Sequence, residues 1–360
     1  MSKPKILVFA PREEPPETIA ALEGLGCEIV FGDRDWQLPR SAHEDAIVAA
    51  ARDAVALMGT SIRHTPISRR IMQASQRLRI VAKYTVGVDD IDTDAATELG
   101  VMVCHAPSES NCFAVAETTV TFMLALFKKI RERDADVRAG KWRELDNFAY
   151  YVGSRQSDGF PGQTIGLVGL GRIGTRVAQL LAPWRVRILA YDPYVPPAHF
   201  LTHGVKPVEY DTLLRESDVV SFHVVLTKET RFMFGERELG LMKPSAIVIN
   251  TARGKVVSEK ALADALGKGR IRGAAIDAFE EEPLPVDSPI ACCCLPIPPR
   301  IPKGASCGRA WPGPRARWSP RSRAAFPIMS ITATSSPAGR SASAGPERPR
   351  SRLRGPHRPA

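Results

Sequence analysis

Negative charge is almost missing from the end of this 360-residue chain: residues 291–360 hold a single Glu, Glu347, and no Asp, against 12 Arg and one Lys. The stretch carries a formal charge of +12, while residues 1–290 sum to −2, so the overall +10 describes neither part. It also holds 13 of the 30 prolines and nine serines. Such a composition buries too little apolar surface to offset chain ordering, and a disordered basic tail is expected over 291–360. Its arginines are scattered without helical spacing, which argues against a specific nucleic-acid surface. Cysteine is scarce before the tail: Cys27, Cys104 and Cys112 stand alone, which excludes a disulfide framework and suits a reducing compartment. The run Cys292–Cys293–Cys294 is too tight for tetrahedral thiolate ligation and Cys307 does not complete it, so no metal site is expected. No uninterrupted apolar run reaches the roughly 18 residues of a membrane span. The opening MSKPKILVFAPR lacks a secretory leader pattern. A cytoplasmic protein without a membrane partner is the expectation. There is no G-x-S-x-G elbow of a serine hydrolase. Histidine is sparse as well, and none lies between Pro283 and Pro356.

What remains is a regular alternation. Short apolar runs rich in β-branched residues (ILVFA, EIVF at 28–31, VALM at 55–58, RIVAK at 79–83, VMVC at 101–104) are separated by helical patterns such as PETIAALEGLG, closed by Gly26, and ISRRIMQAS. Strands apolar on both faces and interleaved with helices predict a parallel sheet covered on both sides. A second unit repeats the scheme with TIGLV (164–168), RILAY (187–191), DVVSF (218–222), AIVIN (246–250) and GAAI (273–276). DTLLRES and SEKALADALGKG read as helices between these strands, the latter with Ser258 as N-cap and Gly269 as stop. AETTVTFMLALFKKIR, 116–131, reads as one long helix bridging the two units. The fold class is therefore α/β, with two parallel-sheet domains.

The strongest local signal is GLVGLGRIG, in which Gly169, Gly171 and Gly174 form G-x-G-x-x-G between a strand and a helix. The first glycine makes a tight turn, the second admits a pyrophosphate to the backbone, and the third lets helix pack on strand. The N–H groups at the start of the helix face the anion. Asp192 ends the next strand, where a carboxylate accepts from an adenosine ribose and repels a 2′-phosphate, favouring NAD over NADP. The same glycine spacing also serves as a plain turn in other α/β domains. Arg172, inside the loop, either adds charge at the pyrophosphate or is simply solvated.

Asn250-Thr251-Ala252-Arg253-Gly254 follows an apolar strand, at the edge where ligands of parallel sheets bind. An arginine there can fork a carboxylate and polarise a carbonyl. Position alone equally allows a surface arginine beside a turn glycine. Asp277 and Glu280–Glu282 follow the next strand, and local inspection does not choose among these acids. His223, at the end of DVVSF, is either a cofactor contact or an ordinary loop histidine.

With these residues in order, the chain resembles the D-isomer-specific 2-hydroxyacid dehydrogenases over residues 4 to about 290. The resemblance rests on KYTVGVDDIDTDAATELGVMV, NCFAVAETTVTFMLAL, TIGLVGLGRIG, SFHVVLTKETRFMFG, INTARGKVVSEKAL and GAAIDAFEEEP, six motifs in family order. It implies NAD-dependent interconversion of a small 2-hydroxy acid and its 2-keto acid. It also implies a flavodoxin-like substrate domain, 1–108, a Rossmann NAD-binding domain, 109–290, and a homodimer formed through the latter. By motif, Arg253 would grip the substrate carboxylate and carbonyl, with Val86 and Gly87 supplying the backbone that meets the carboxylate. Glu282 would pair with a catalytic histidine. Gly169, Gly171, Arg172, Ile173, Gly174, Asp192, His223, Thr251, Ala252 and Asp277 would attend the nucleotide. Val225 replaces a common proline and Thr85 a common glycine.

The family's general acid/base histidine, about a dozen residues after the E-E-P motif, has no counterpart here, and nothing after residue 290 resembles the helix that closes the first domain. Three readings follow: a lost reading frame near Ile290–Ala291, a naturally truncated NAD-binding relative, or another base such as His105 or His223. The expectation from sequence is weak NADH binding or none, and very slow keto-acid reduction.

Overall fold

The computed structural model of the chain describes residues 3–292 apart from 11–15, 34–35, 37–42, 61, 63–64, 143–147, 283 and 286. The tail expected from residue 291 thus lies outside the described residues from 293 onward, as do His64 and Pro283. Both sheets fall within one compact unit, Met1–Trp311.

The first sheet is built from β1 (Lys5–Ala10), β2 (Glu28–Phe31), β3 (Ala54–Gly59), β4 (Ile80–Lys83) and β5 (Met102–Cys104). Between them run α1 (Pro16–Gly24), α2 (Glu44–Ala51), α3 (Arg69–Gln73) and α4 (Thr93–Leu99). The strands are parallel in the order β2-β1-β3-β4-β5, the flavodoxin-like order. The pleat sends alternate residues to opposite faces. Leu7, Phe9, Leu57 and Val81 pack with Ile47, Ile71, Met72 and Ala95 on one side, while Ile6, Val8 and Ala56 face the other. That second face is thinner: Met58 and Ile80 are only partly covered and Met102 is 61% exposed.

The second sheet comprises six parallel strands: β6 (Thr164–Val168), β7 (Arg187–Tyr191), β8 (Lys206–Pro207), β9 (Val219–Phe222), β10 (Ile247–Asn250) and β11 (Gly273–Ile276). Their order, β11-β10-β9-β6-β7-β8, is the doubly wound arrangement whose strand order reverses between β6 and β9. Every residue of β9 and β10 is buried, as continuous apolar runs covered on both faces require. The two-residue β8 carries no apolar run and gives no strand signal in the sequence.

The single helix expected over 116–131 is two helices. The first, α5 (Glu109–Phe127), starts earlier, capped by Ser108, whose hydroxyl accepts from Asn111 N. Lys129 takes a left-handed φ of 48°, which breaks the ladder before α6 (Ile130–Arg138). By length and composition α5 is apolar enough to cross a membrane. Its apolarity is accounted for by packing against β10, β11 and α7 (Arg172–Leu181), with Ala116, Phe122, Met123 and Phe127 in the core.

After α8 (Pro197–Thr202), α9 (Tyr210–Glu216) and α10 (Glu236–Leu241), the helix α11 (Glu259–Gly267) is capped by Ser258 as its sequence predicts. Beyond β11 the chain ends its described course in a 3-10 turn, Pro289–Cys292, against α11, and Ile290 is fully buried. The described chain therefore runs two residues past the expected break.

Candidate functional site

Strand β6 runs directly into the glycine loop. Gly169 has φ +95°, and a Cβ there would press on the His223 carbonyl. A Cβ on Gly174 would overlap the Gly169 carbonyl, so the third glycine sets how closely α7 packs on β6. A Cβ on Gly171 would meet nothing within 4 Å: the loop is open on the side an anion would approach, at the N-terminus of a ten-residue helix. Ile173 packs into the core below.

Asp192 anchors this loop. Its Oδ2 accepts from Leu170 N at 2.8 Å and its Oδ1 from Tyr194 N at 3.0 Å, tying the tip of β7 to the loop. Arg172 points away from the helix and donates to the Pro107 carbonyl at 2.8 Å, at the start of the connection from the first sheet. His223 caps β9 next to Gly169. Its Nε2 pairs with Ser221 Oγ at 3.0 Å, while its Nδ1 is shielded and has no hydrogen-bond partner among the described residues. Although the residue as a whole is partly exposed, burial of the ring pushes its pKa down to about 4.

The Asn250–Gly254 turn is shaped by a residue that its motif did not single out. Asn250 is buried; its Oδ1 accepts from Ala252 N at 3.1 Å and its Nδ2 donates to the Arg253 carbonyl at 2.9 Å. The Thr251 hydroxyl pairs with Thr119 of α5 at 2.9 Å, both buried. Gly254 is where the turn meets the acidic segment: a Cβ there would overlap the Phe279–Glu280 backbone.

Arg253 reaches across to the first sheet. Its Nε donates to Asp89 Oδ2 at 2.5 Å and its Nη1 to the Ala252 carbonyl at 2.8 Å. Its Nη2 lies over Gly87, where a Cβ would overlap it. The loop after β4 is held from beneath by Lys83, whose fully buried side chain donates to both oxygens of Asp90 at 2.7 and 2.6 Å. Burial lowers the Lys83 pKa and the Asp90 charge opposes that fall. The Val86 carbonyl meets His105 Nδ1 at 2.9 Å. Residues 85–89, 105–107, 172 and 253 thus converge between the sheets, at their C-terminal edges.

Asp277 follows β11 and donates its backbone N–H to the Asn250 carbonyl at 2.9 Å. Its carboxyl pKa is raised, first by burial and then by the charge of Glu282. Glu282 itself is exposed and uses Oε1 to accept from Phe279 N at 3.1 Å within its own turn. Glu280 is occupied elsewhere: it and Glu259 accept each other's backbone N–H at 2.7 and 2.6 Å. Among the described residues, no group of three or more His, Cys, Asp and Glu is placed to hold a metal. Asp89, Asn250 and Gly254 were missed as site residues. The only signal for Asp89 was its place in the acid doublet beside Gly87.

Comparison with known proteins fits this geometry. Residues 120–294 match the model of the D-isomer specific 2-hydroxyacid dehydrogenase NAD binding domain. A glyoxylate reductase of Korarchaeum cryptofilum is 38% identical over 79% of this chain and 82% of its own. A D-3-phosphoglycerate dehydrogenase of Methanocaldococcus jannaschii is 35% identical over 79% of this chain, which spans only 51% of that longer protein. The crystal structure of a glyoxylate reductase from Paecilomyes thermophila superposes with a TM-score of 0.70 at 27% identity, covering 82% of this chain and 88% of that one.

Proposed function

This chain belongs to the D-isomer-specific 2-hydroxyacid dehydrogenase family, NAD-dependent oxidoreductases of the CH–OH group, and from that premise we propose that its inter-sheet cleft binds the carboxylate of a 2-keto or 2-hydroxy acid between Arg253 and the Val86–Gly87 loop. The observation that carries this reading is the Arg253 guanidinium lying over Gly87 from the other sheet. Residues 1–108 form the substrate-side domain and 109–290 the nucleotide-binding domain in this proposal.

The open, glycine-lined start of α7 fits the pyrophosphate of NAD, held by Gly169, Gly171, Arg172, Ile173 and Gly174. Asp192 would accept from the adenosine ribose with the lone pairs that Leu170 N and Tyr194 N leave free, and His223, Thr251, Ala252 and Asp277 would border the rest of the nucleotide. NAD bound there would supply the hydride chemistry, exchanging a hydride with C2 of the acid. Negative charge that develops on the substrate oxygen is offset by Arg253. That oxygen then needs a proton. A histidine delivering it, which Glu282 would orient, is missing from Pro283 to Pro356. Cofactor binding therefore persists, supported by a second sheet that has all six strands, while turnover falls by about 10²–10⁴-fold for want of a positioned acid/base. The sequence alone leads instead to weak NADH binding or none, and an NADH titration decides between the two.

The same missing histidine favours one other reading, a nucleotide-binding regulator that binds a protein partner in an NADH-dependent way. A lost reading frame near Ile290–Ala291 accounts for the change of composition there, and the nucleotide sequence across codons 285–300 tests it: a one-base shift should restore T-P-H and a final helix. The protein acts in the cytoplasm on small molecules, without nucleic-acid or membrane partners. It forms a homodimer through the nucleotide-binding domain, where Phe148, Tyr150 and Tyr151 are 44–62% exposed.

Titration of NADH into the purified chain, followed by a panel of 2-keto acids, tests the reading. Saturable NADH binding with slow oxidation by at least one keto acid supports it, and the absence of NADH binding overturns it.

A further inference from the structure

The acid doublet Asp89–Asp90 sends its two charges in opposite directions. Asp90 turns inward to the buried Lys83. A buried ammonium needs such a partner, and a buried pair resists separation because either charge alone would be stranded. Asp89 turns toward the cleft and takes the Arg253 Nε–H. With Nη1 tethered to the Ala252 carbonyl, Arg253 is fixed at two points. A guanidinium is planar, with five N–H donors in a fixed fork, so two tethers set the direction of the remaining donors. Those include Nη2, which lies over Gly87.

We propose that Asp89 is a positioning residue for Arg253: anchored through the neighbouring Asp90–Lys83 pair, it holds the guanidinium plane over Gly87 so that its remaining N–H groups face an incoming carboxylate. The inference rests on the proposed reading of the cleft and adds a residue to it. Asp89 has no contact of its own with the substrate in this scheme and acts through Arg253. The contrary possibility is physical too, since a carboxylate beside Arg253 also competes with an anionic ligand. Positioning and competition predict opposite signs on removing Asp89.

The test is calorimetric titration of oxamate, which presents a carboxylate beside a carbonyl but no reducible ketone, into the NADH-saturated full chain. Asp89→Ala should weaken oxamate binding about tenfold, with the pair's partial exposure keeping the loss moderate. Asp89→Asn, which keeps an acceptor without the charge, should lose about threefold. NADH affinity should stay within twofold in both, a readout that general damage to the fold would move. If the alanine variant does not fold, the asparagine variant carries the test. Unchanged or tighter oxamate binding in the folded variants overturns the positioning role alone. Failure of the unsubstituted chain to bind oxamate overturns the reading of the cleft, and the positioning role with it.

Discussion

In the proposed cleft, Arg253 would concentrate the chemistry in one side chain, because it offers the charge and the fork that a carboxylate needs and reaches from one sheet to the other. Replacing it with Gln should reduce kcat/KM for any accepted keto acid by at least about 100-fold, with NADH affinity unchanged. Steady-state kinetics beside an NADH titration checks this. Gly174→Ala should act in reverse, impairing NADH binding first, because its Cβ would overlap the Gly169 carbonyl and push α7 off the loop. His223 sets a pH dependence of stability. Its folded pKa of about 4 lies below the ordinary 6.5, so the unfolded chain binds the extra proton in that window. Its contribution is intact above about pH 6.5 and is lost as pH falls toward about 4, by on the order of 3 kcal/mol. The drop in melting temperature between neutral and acid buffer should be smaller in His223→Gln. The glycines, Asp192 and Arg253 were legible because each motif is continuous in sequence. Asp89 was not, since its partner lies 164 residues away.

At the level of elements, the turn after β10 and the segment after β11 meet where no side chain fits. Gly254→Ala would set a Cβ into the Phe279–Glu280 backbone, displacing both the Arg253 turn and the acidic segment. A destabilisation of more than about 2 kcal/mol is expected from such overpacking, seen as a lower denaturation midpoint. Most strands could be read directly, since continuous β-branched runs have one economical use in a sheet covered on both sides. The division of α5 from α6 could not: Lys128 and Lys129 are good helix formers, and only the left-handed φ of Lys129 reveals the break. The brief β8 was hidden for a different reason, having no apolar residue pattern at all.

For the whole molecule, the proposed homodimer would cover Phe148, Tyr150 and Tyr151, which are exposed in a single copy. Phe148→Glu combined with Tyr151→Glu should shift sedimentation from dimer toward monomer and leave NADH binding per chain unchanged. The thin second face of the first sheet, with Met102 exposed, agrees with a lobe that lacks a closing helix among the described residues. The change in composition at residue 291 was plain in the sequence, yet the burial of Ile290 against α11 was not, because that packing depends on contacts distant along the chain. The proposed cleft would bind both ligands, with no histidine between Pro283 and Pro356 to supply the proton. The most direct test is a single-turnover experiment, in which the purified chain is saturated with NADH, mixed with glyoxylate, and followed by loss of NADH absorbance. The expected result is a bound complex whose oxidation is about 10²–10⁴-fold slower than the roughly 10 per second of an ordinary enzyme. Oxidation at that ordinary rate would contradict it.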